Sequence, residues 1–236
     1  MNKYSKQTRM LVAVDCVIFG FDGTEFKILL IHRGFEPERG NWSLMGGFVM
    51  PNENFETTSS RVLKQLTGLE NVYMEQMYAF GSLNRDPVER TISVTYFALI
   101  DINEYQQQLS DIYHAEWFSL SQYPQLIFDH EEMVKAAKDK LRYKAALHPI
   151  LFELLPLKFT LPQLLSLYEQ VYDLQIDKRN FSRKVLSTNL LIQQKDKDKS
   201  SSKKGAFYYK LNKKNYSAKF NSFLNFMPES QEKSSL

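Results

Sequence analysis

Apolar residues follow a strand-like pattern over the first part of the chain. Leu11 to Phe21 is a run of apolar and β-branched residues, and Lys27 to His32 (KILLIH) is a second, with Asp22-Gly23-Thr24 between them, which predicts a β-hairpin. Arg33 to Arg39 is a polar loop. Trp42 to Val49 then carries Gly46-Gly47, a place where backbone must pass close to something else. At Phe55, Val62, Leu63 and Leu66 the spacing turns helical, with Asn52 or Asn54 available as the cap and Gly68 placed to end the helix. Met74 to Ser82, Thr91 to Ile100 and Asp111 to Phe118 read as strands, and Leu126 to His130 (LIFDH) introduces a helix from Glu131 to Ala146. That helix carries its acids first and its lysines later, as its dipole favours, and the lysines read as a solvated face.

The pattern changes at His148-Pro149, because proline disfavours helix in the residue before it. Ile150 to Leu155 predicts a short apolar helix. Thr160 can cap a second helix that has Pro162 in its first turn and Leu164, Leu167, Tyr168 and Val171 on one face. Asp177 can cap a third, Lys178 to Ser187. Strands Leu190 to Gln194 and Phe207 to Leu211 follow, joined by KDKDKSSSKKGA. Two helices across a tight turn and then a β-hairpin predict a winged helix-turn-helix.

With 236 residues, 43% of them apolar, the chain has room for two cores. The fold class expected is α/β: an αβα domain over 1–146, a winged helix-turn-helix over 147–225 and a disordered tail over 226–236. No apolar run approaches the ~20 residues that span a bilayer. Asp15 interrupts the N-terminal run, so a strand explains it better than a signal peptide. The single cysteine, Cys16, excludes an intrachain disulfide and fits a cytoplasmic location.

Charge sharpens the division. Residues 1–177 carry 16 Lys plus Arg against 23 Asp plus Glu, a net of −7, whereas 178–228 carry 13 against 2, a net of +11. The total of +3 conceals a basic segment suited to a polyanion. On the third helix, Phe181 and Val185 are spaced to enter the core. Lys178, Arg179, Asn180, Ser182, Arg183 and Lys184 then fall on the outward surface, where arginine can read guanine and asparagine adenine. Lys203 and Lys204 at the hairpin tip would meet phosphates. Single-stranded RNA is a weaker fit, because Tyr208 and Tyr209 read as alternating strand residues rather than a stacking platform.

Between Gly40 and Glu70, Gly47 is followed six positions on by Glu53, then by Arg61, Gly68 and Leu69. This spacing resembles the Nudix box, whose helix reads R-E-apolar-x-E-E and whose glutamates hold the divalent cations of diphosphate hydrolysis. Here those positions read Arg61, Val62, Leu63, Lys64, Gln65, Leu66. Two apolar side chains and an amide cannot supply the converging anionic oxygens that a hard cation needs. Glu53 and Arg61, which in the family tie loop to helix, remain. No metal site, cofactor or catalytic residue is therefore expected, unless acids from elsewhere, such as Glu56 or Glu116, substitute.

A box without its acids joined to a winged helix resembles the Nudix-related transcriptional regulators, over residues 1 to about 220. Known members sense ADP-ribose or arabinose; the runs Trp42 to Val49 and Leu126 to His130 are more similar to the arabinose-sensing branch. Arg85-Asp86-Pro87 resembles the loop of ADP-ribose-binding relatives and also fits an exposed β-turn. The resemblance implies a DNA-binding homodimer on a double-stranded operator, controlled by a pentose or ADP-ribose in a cleft formed by Arg33, Gly46, Gly47, Arg85 and Glu116. Trp117 would line the cleft for a sugar, and Arg33 or Arg85 would meet the phosphates of ADP-ribose. The alternative is a Nudix hydrolase acting on ADP-ribose or a related nucleoside diphosphate derivative.

Overall fold

The structure is a computed structural model that describes residues 4, 6–105, 114–200 and 204–220. The chain divides into two compact units, Met1–Lys140 and Leu141–Leu236.

The first unit is built on a seven-stranded sheet. Strands β1 (Leu11–Phe21), β2 (Phe26–His32), β3 (Trp42–Ser43), β5 (Tyr73–Phe80) and β6 (Thr91–Asp101) run in the order β3-β2-β1-β6-β5. Strand β4 (Met45–Phe48) also pairs with β1, and β7 (Ala115–Ser119) with β2. The centre is the parallel ladder of β1 and β6, in register from Leu11↔Thr91 to Phe21↔Asp101. β1 is buried at every position from Ala13 to Phe21, as a strand covered on both faces must be.

By the two-residue period of a strand, Val14, Cys16 and Ile18 enter a core with Val62 and Leu63 of α1 (Phe55–Thr67), which leaves Asp15 for the opposite face. Asn54, not Asn52, caps α1. Its side chain accepts from Thr57 N, and Gly68 ends the helix in the left-handed region at φ 76°. A one-turn helix, α2 (Ile102–Tyr105), follows β6. The hairpin turn is held by Asp22 Oδ1, which accepts from the amides of Thr24 and Glu25, both at 2.8 Å. Of the strand expected from Asp111, residues 114 onward are described, and pairing begins at Ala115, opposite Ile31.

Helix α3 (His130–Leu147) buries Met133, Val134 and Ala137 completely. Residues 150–154 form a 3₁₀ turn rather than an α-helix.

In the second unit, α4 (Leu161–Tyr172) starts with a capping box between Thr160 and Gln163 and has Pro162 in its first turn. α5 (Lys178–Ser187) is capped by Asp177, which accepts from Asn180 N at 2.8 Å. Leu164, Leu167, Val171 and Phe181 form their shared core, each stabilising the unit by about 1.5–3 kcal/mol. Three antiparallel strands complete the unit in the order β8-β10-β9: β8 (Phe159–Thr160), β9 (Leu191–Asp198) and β10 (Ala206–Leu211). β9 runs four residues beyond Gln194, because Lys197 and Asp198 pair with Phe207 and Ala206. Two further elements have no counterpart in the expected pattern: β8, and α6 (Lys213–Phe220) after the wing. The expected tail, 226–236, lies outside the described residues.

Candidate functional site

The loop before α1 is tied to the helix by Glu53 and Arg61. Arg61 Nε donates to Glu53 Oε1 at 2.6 Å and Nη2 to Oε2 at 2.8 Å, while Nη2 also reaches Phe48 O at 2.9 Å. With the Arg61 bonds as the largest cause, the Glu53 carboxyl is lowered to about 2. Behind this brace the helix offers no cation cage. Val62 is core, 2% exposed, and a Cβ on Gly47 would lie 2.7 Å from its Cγ2. Gln65 and Leu66 present an amide and a methyl-bearing side chain to the cleft. Glu56 is exposed and faces Tyr96, whose hydroxyl is pushed up to about 12 by burial and by that acid. Among the described residues no three His, Cys, Asp or Glu side chains are placed to hold a metal, so the divalent ion that a Nudix fold implies does not fit this donor set.

Beside the box lies a cavity of about 330 Å³. Arg33, Gly46, Gly47 and Arg85 all line it; Glu116 does not, standing exposed on β7 opposite Leu30. Trp117 is likewise absent from the lining, since its ring packs against Gly20.

The two arginines of the cavity differ in what surrounds them. Arg85 is 6% exposed and held by Asp129 through two bonds of 2.9 Å, with Asp15 Oδ2 at 3.4 Å from Nη2. Burial opposes its charge, but the two carboxylates outweigh burial and the net shift is upward. It is a satisfied structural ion, not the exposed turn residue one reading of Arg85-Asp86-Pro87 gives. Arg33 is half-buried, and its Nε donates to Pro37 O at 2.5 Å and Phe35 O at 3.2 Å. Its guanidinium lies 4.0 Å from the Phe35 ring centroid and 5.4 Å from that of Phe128. Burial pulls its pKa down. Among the described residues no carboxylate forms an ion pair with it, although Asp86, Asp15, Glu38 and Glu36 lie near enough to favour its charge.

Asp15 and His130 complete the cavity floor, with Ser93 bonded to Asp15 and Asp129 to Arg85 behind it, and sequence reasoning assigned none of the four. Ser93 Oγ donates to Asp15 Oδ2 at 2.5 Å, and Leu44 N donates to His130 Nδ1 at 3.1 Å. The available signal was Asp15 itself, an acid in the middle of an apolar strand.

On α5, Lys178, Arg179, Asn180, Arg183 and Lys184 are exposed, and Ser182 is half-buried with its hydroxyl bonded back to Lys178 O at 2.8 Å. Phe181 is buried edge-on to Tyr168 at 5.3 Å, whereas Val185 is only half-buried. Lys204 is exposed at the wing; Lys203 lies outside the described residues. Along β9 the lysines and aspartates separate by strand period. Asp196 pairs with Lys158 at 2.8 Å, while Lys195 is exposed and Lys197 lies over the Phe207 ring at 4.2 Å. The alternation in KDKDK was the signal for this second row of cations.

Residues 9–138 match the NUDIX domain family and 151–211 the NrtR DNA-binding winged helix domain family. The chain is 32% identical over 220 residues, 92% of its length and 88% of the relative's, to the ADPR responsive transcriptional repressor NtrR of Acinetobacter baylyi. It is 35% identical over 144 residues to the ADP-ribose pyrophosphatase of Methanocaldococcus jannaschii, covering 61% of this chain and 80% of that one. Among solved structures it is similar to Shewanella oneidensis NrtR complexed with a 27mer DNA, with a TM-score of 0.76 at 30% identity, covering 87% of this chain and 95% of that one. The NUDIX domain of that protein complexed with ADP ribose matches with a TM-score of 0.51 at 31% identity, covering 59% and 94%.

Proposed function

Because the chain belongs to the Nudix-related transcriptional regulators that carry an NrtR winged helix, we propose that it is an ADP-ribose-responsive repressor that no longer hydrolyses its ligand. The observation that carries this reading is Arg33: a guanidinium set between two aromatic rings, with no carboxylate partner among the described residues, in a cavity beside a box helix without acids. That arrangement suits the diphosphate of a nucleotide sugar and not its hydrolysis. The relatives are an ADPR responsive repressor, an ADP-ribose pyrophosphatase and a NUDIX domain complexed with ADP ribose, which favours ADP-ribose over arabinose or another pentose.

The chain acts as a cytoplasmic homodimer, with α5 of each copy in the major groove of one half-site and the β9–β10 wing on the phosphates. ADP-ribose binds one arrangement of the protein better than the other and so changes its DNA affinity. Among the described residues no helix is long and apolar enough to cross a membrane.

The test is a mobility shift on duplexes that the full chain selects from a random pool. ADP-ribose should release the DNA and L-arabinose should not; release by arabinose alone would reassign the effector. The hydrolase reading draws on the pyrophosphatase relative and on the intact Glu53–Arg61 brace. Magnesium-dependent formation of AMP from ADP-ribose would favour it.

A further inference from the structure

Two side chains with complementary polar atoms, Asp15 and His130, line the same cavity, and Asp15 Oδ1 lies over Gly46, another lining residue. Leu44 N donates to His130 Nδ1, so on the neutral ring the proton sits on Nε2, and burial of the ring favours the neutral form. Nε2 lies 3.7 Å from Asp15 Oδ1, beyond hydrogen-bond reach. The other oxygen of Asp15 is engaged by Ser93 and Arg85. Both side chains are under a tenth exposed and both line the cavity, and among the described residues nothing bonds to Oδ1 or Nε2.

We propose that Asp15 Oδ1 and His130 Nε2 form a subsite for a sugar hydroxyl, which accepts from Nε2–H and donates to Oδ1. The inference rests on the ADP-ribose reading and adds an orientation to it. A hydroxyl is both donor and acceptor, as this pair requires. A phosphate oxygen only accepts, and it would meet the carboxylates of Asp15 and Asp86, with Arg85 already shared between Asp15 and Asp129. The distal ribosyl group therefore enters the floor and the diphosphate stays with Arg33. The floor thus selects nucleotides that end in a sugar over those that end in a phosphoryl group.

Calorimetric titration of the full chain with ADP-ribose and with ADP tests this. The wild-type chain should bind ADP-ribose about tenfold or more tightly than ADP, a typical effect of a hydrogen bond to a charged group. Asp15→Asn and His130→Gln should weaken ADP-ribose while leaving ADP unchanged or tighter. A structural defect would weaken both ligands alike, and ligand-free melting curves would show it. Equal or tighter binding of ADP by the wild-type chain overturns the subsite and leaves the effector reading intact, whether or not the variants fold. If ADP-ribose does not bind at all, both fall.

Discussion

Gly47 packs directly on Val62: a Cβ added to the glycine would come within 2.7 Å of the valine Cγ2, so one of the two would have to shift. The helix position that carries a glutamate in the Nudix pattern is thus filled by a core methyl group packed on backbone. Val62→Glu should cost about 2–4 kcal/mol in chemical denaturation, because a carboxylate would enter the core without a partner. Even combined with Gln65→Glu and Leu66→Glu, it should yield no magnesium-dependent cleavage of ADP-ribose.

The two cavity arginines should separate by assay. Arg33→Ala should weaken ADP-ribose about tenfold or more in calorimetry and leave the melting temperature near wild type. Arg85→Ala should lower stability by about 3–5 kcal/mol, since Asp15 and Asp129 would be left buried without their cation.

Glu53 supplies a pH dependence. Its folded carboxyl lies near 2 against an ordinary 4.5, chiefly because of the Arg61 bonds, so the contribution of the ionised form is complete above 4.5 and is lost as pH falls towards 2. The melting temperature of Glu53→Gln should lie below wild type at neutral pH, and the gap should close across that acid window. A gap that persists at its lower end would remove the brace as the cause.

The basic face of α5 and the lysines of β9 should act through phosphates and bases, not through folding. Arg179→Ala with Arg183→Ala should abolish specific DNA binding without moving the melting temperature. Lys195→Ala with Lys197→Ala should weaken all sequences alike and reduce the slope of log affinity against log salt by ~0.9 for each phosphate that is no longer neutralised.

Much of this was legible in local pattern. The β1–β2 hairpin, α1 with its glycine stop, and the capped helices α4 and α5 each declare themselves within a dozen residues, through periodicity and a cap. The cavity floor did not. Asp15 meets Arg85 and Ser93, and Leu44 meets His130, across separations of 70, 78 and 86 residues, and no local period encodes such pairings. Arg85 shows the consequence: in sequence it reads as a turn residue or a phosphate ligand, yet two distant acids hold it. β8, two residues long, is too short to show an alternation, and its pairing with β10 places it.

The central claim is that a ligand in the cavity controls the basic reader. Fluorescence anisotropy of a labelled, pool-selected duplex bound to the full chain, titrated with ADP-ribose, tests it most directly when wild type and Arg33→Ala are run side by side. Both should bind the duplex in the absence of ligand; ADP-ribose should release it from wild type and fail to release it from the variant at the same concentration. DNA binding by wild type that saturating ADP-ribose leaves unchanged would contradict the account.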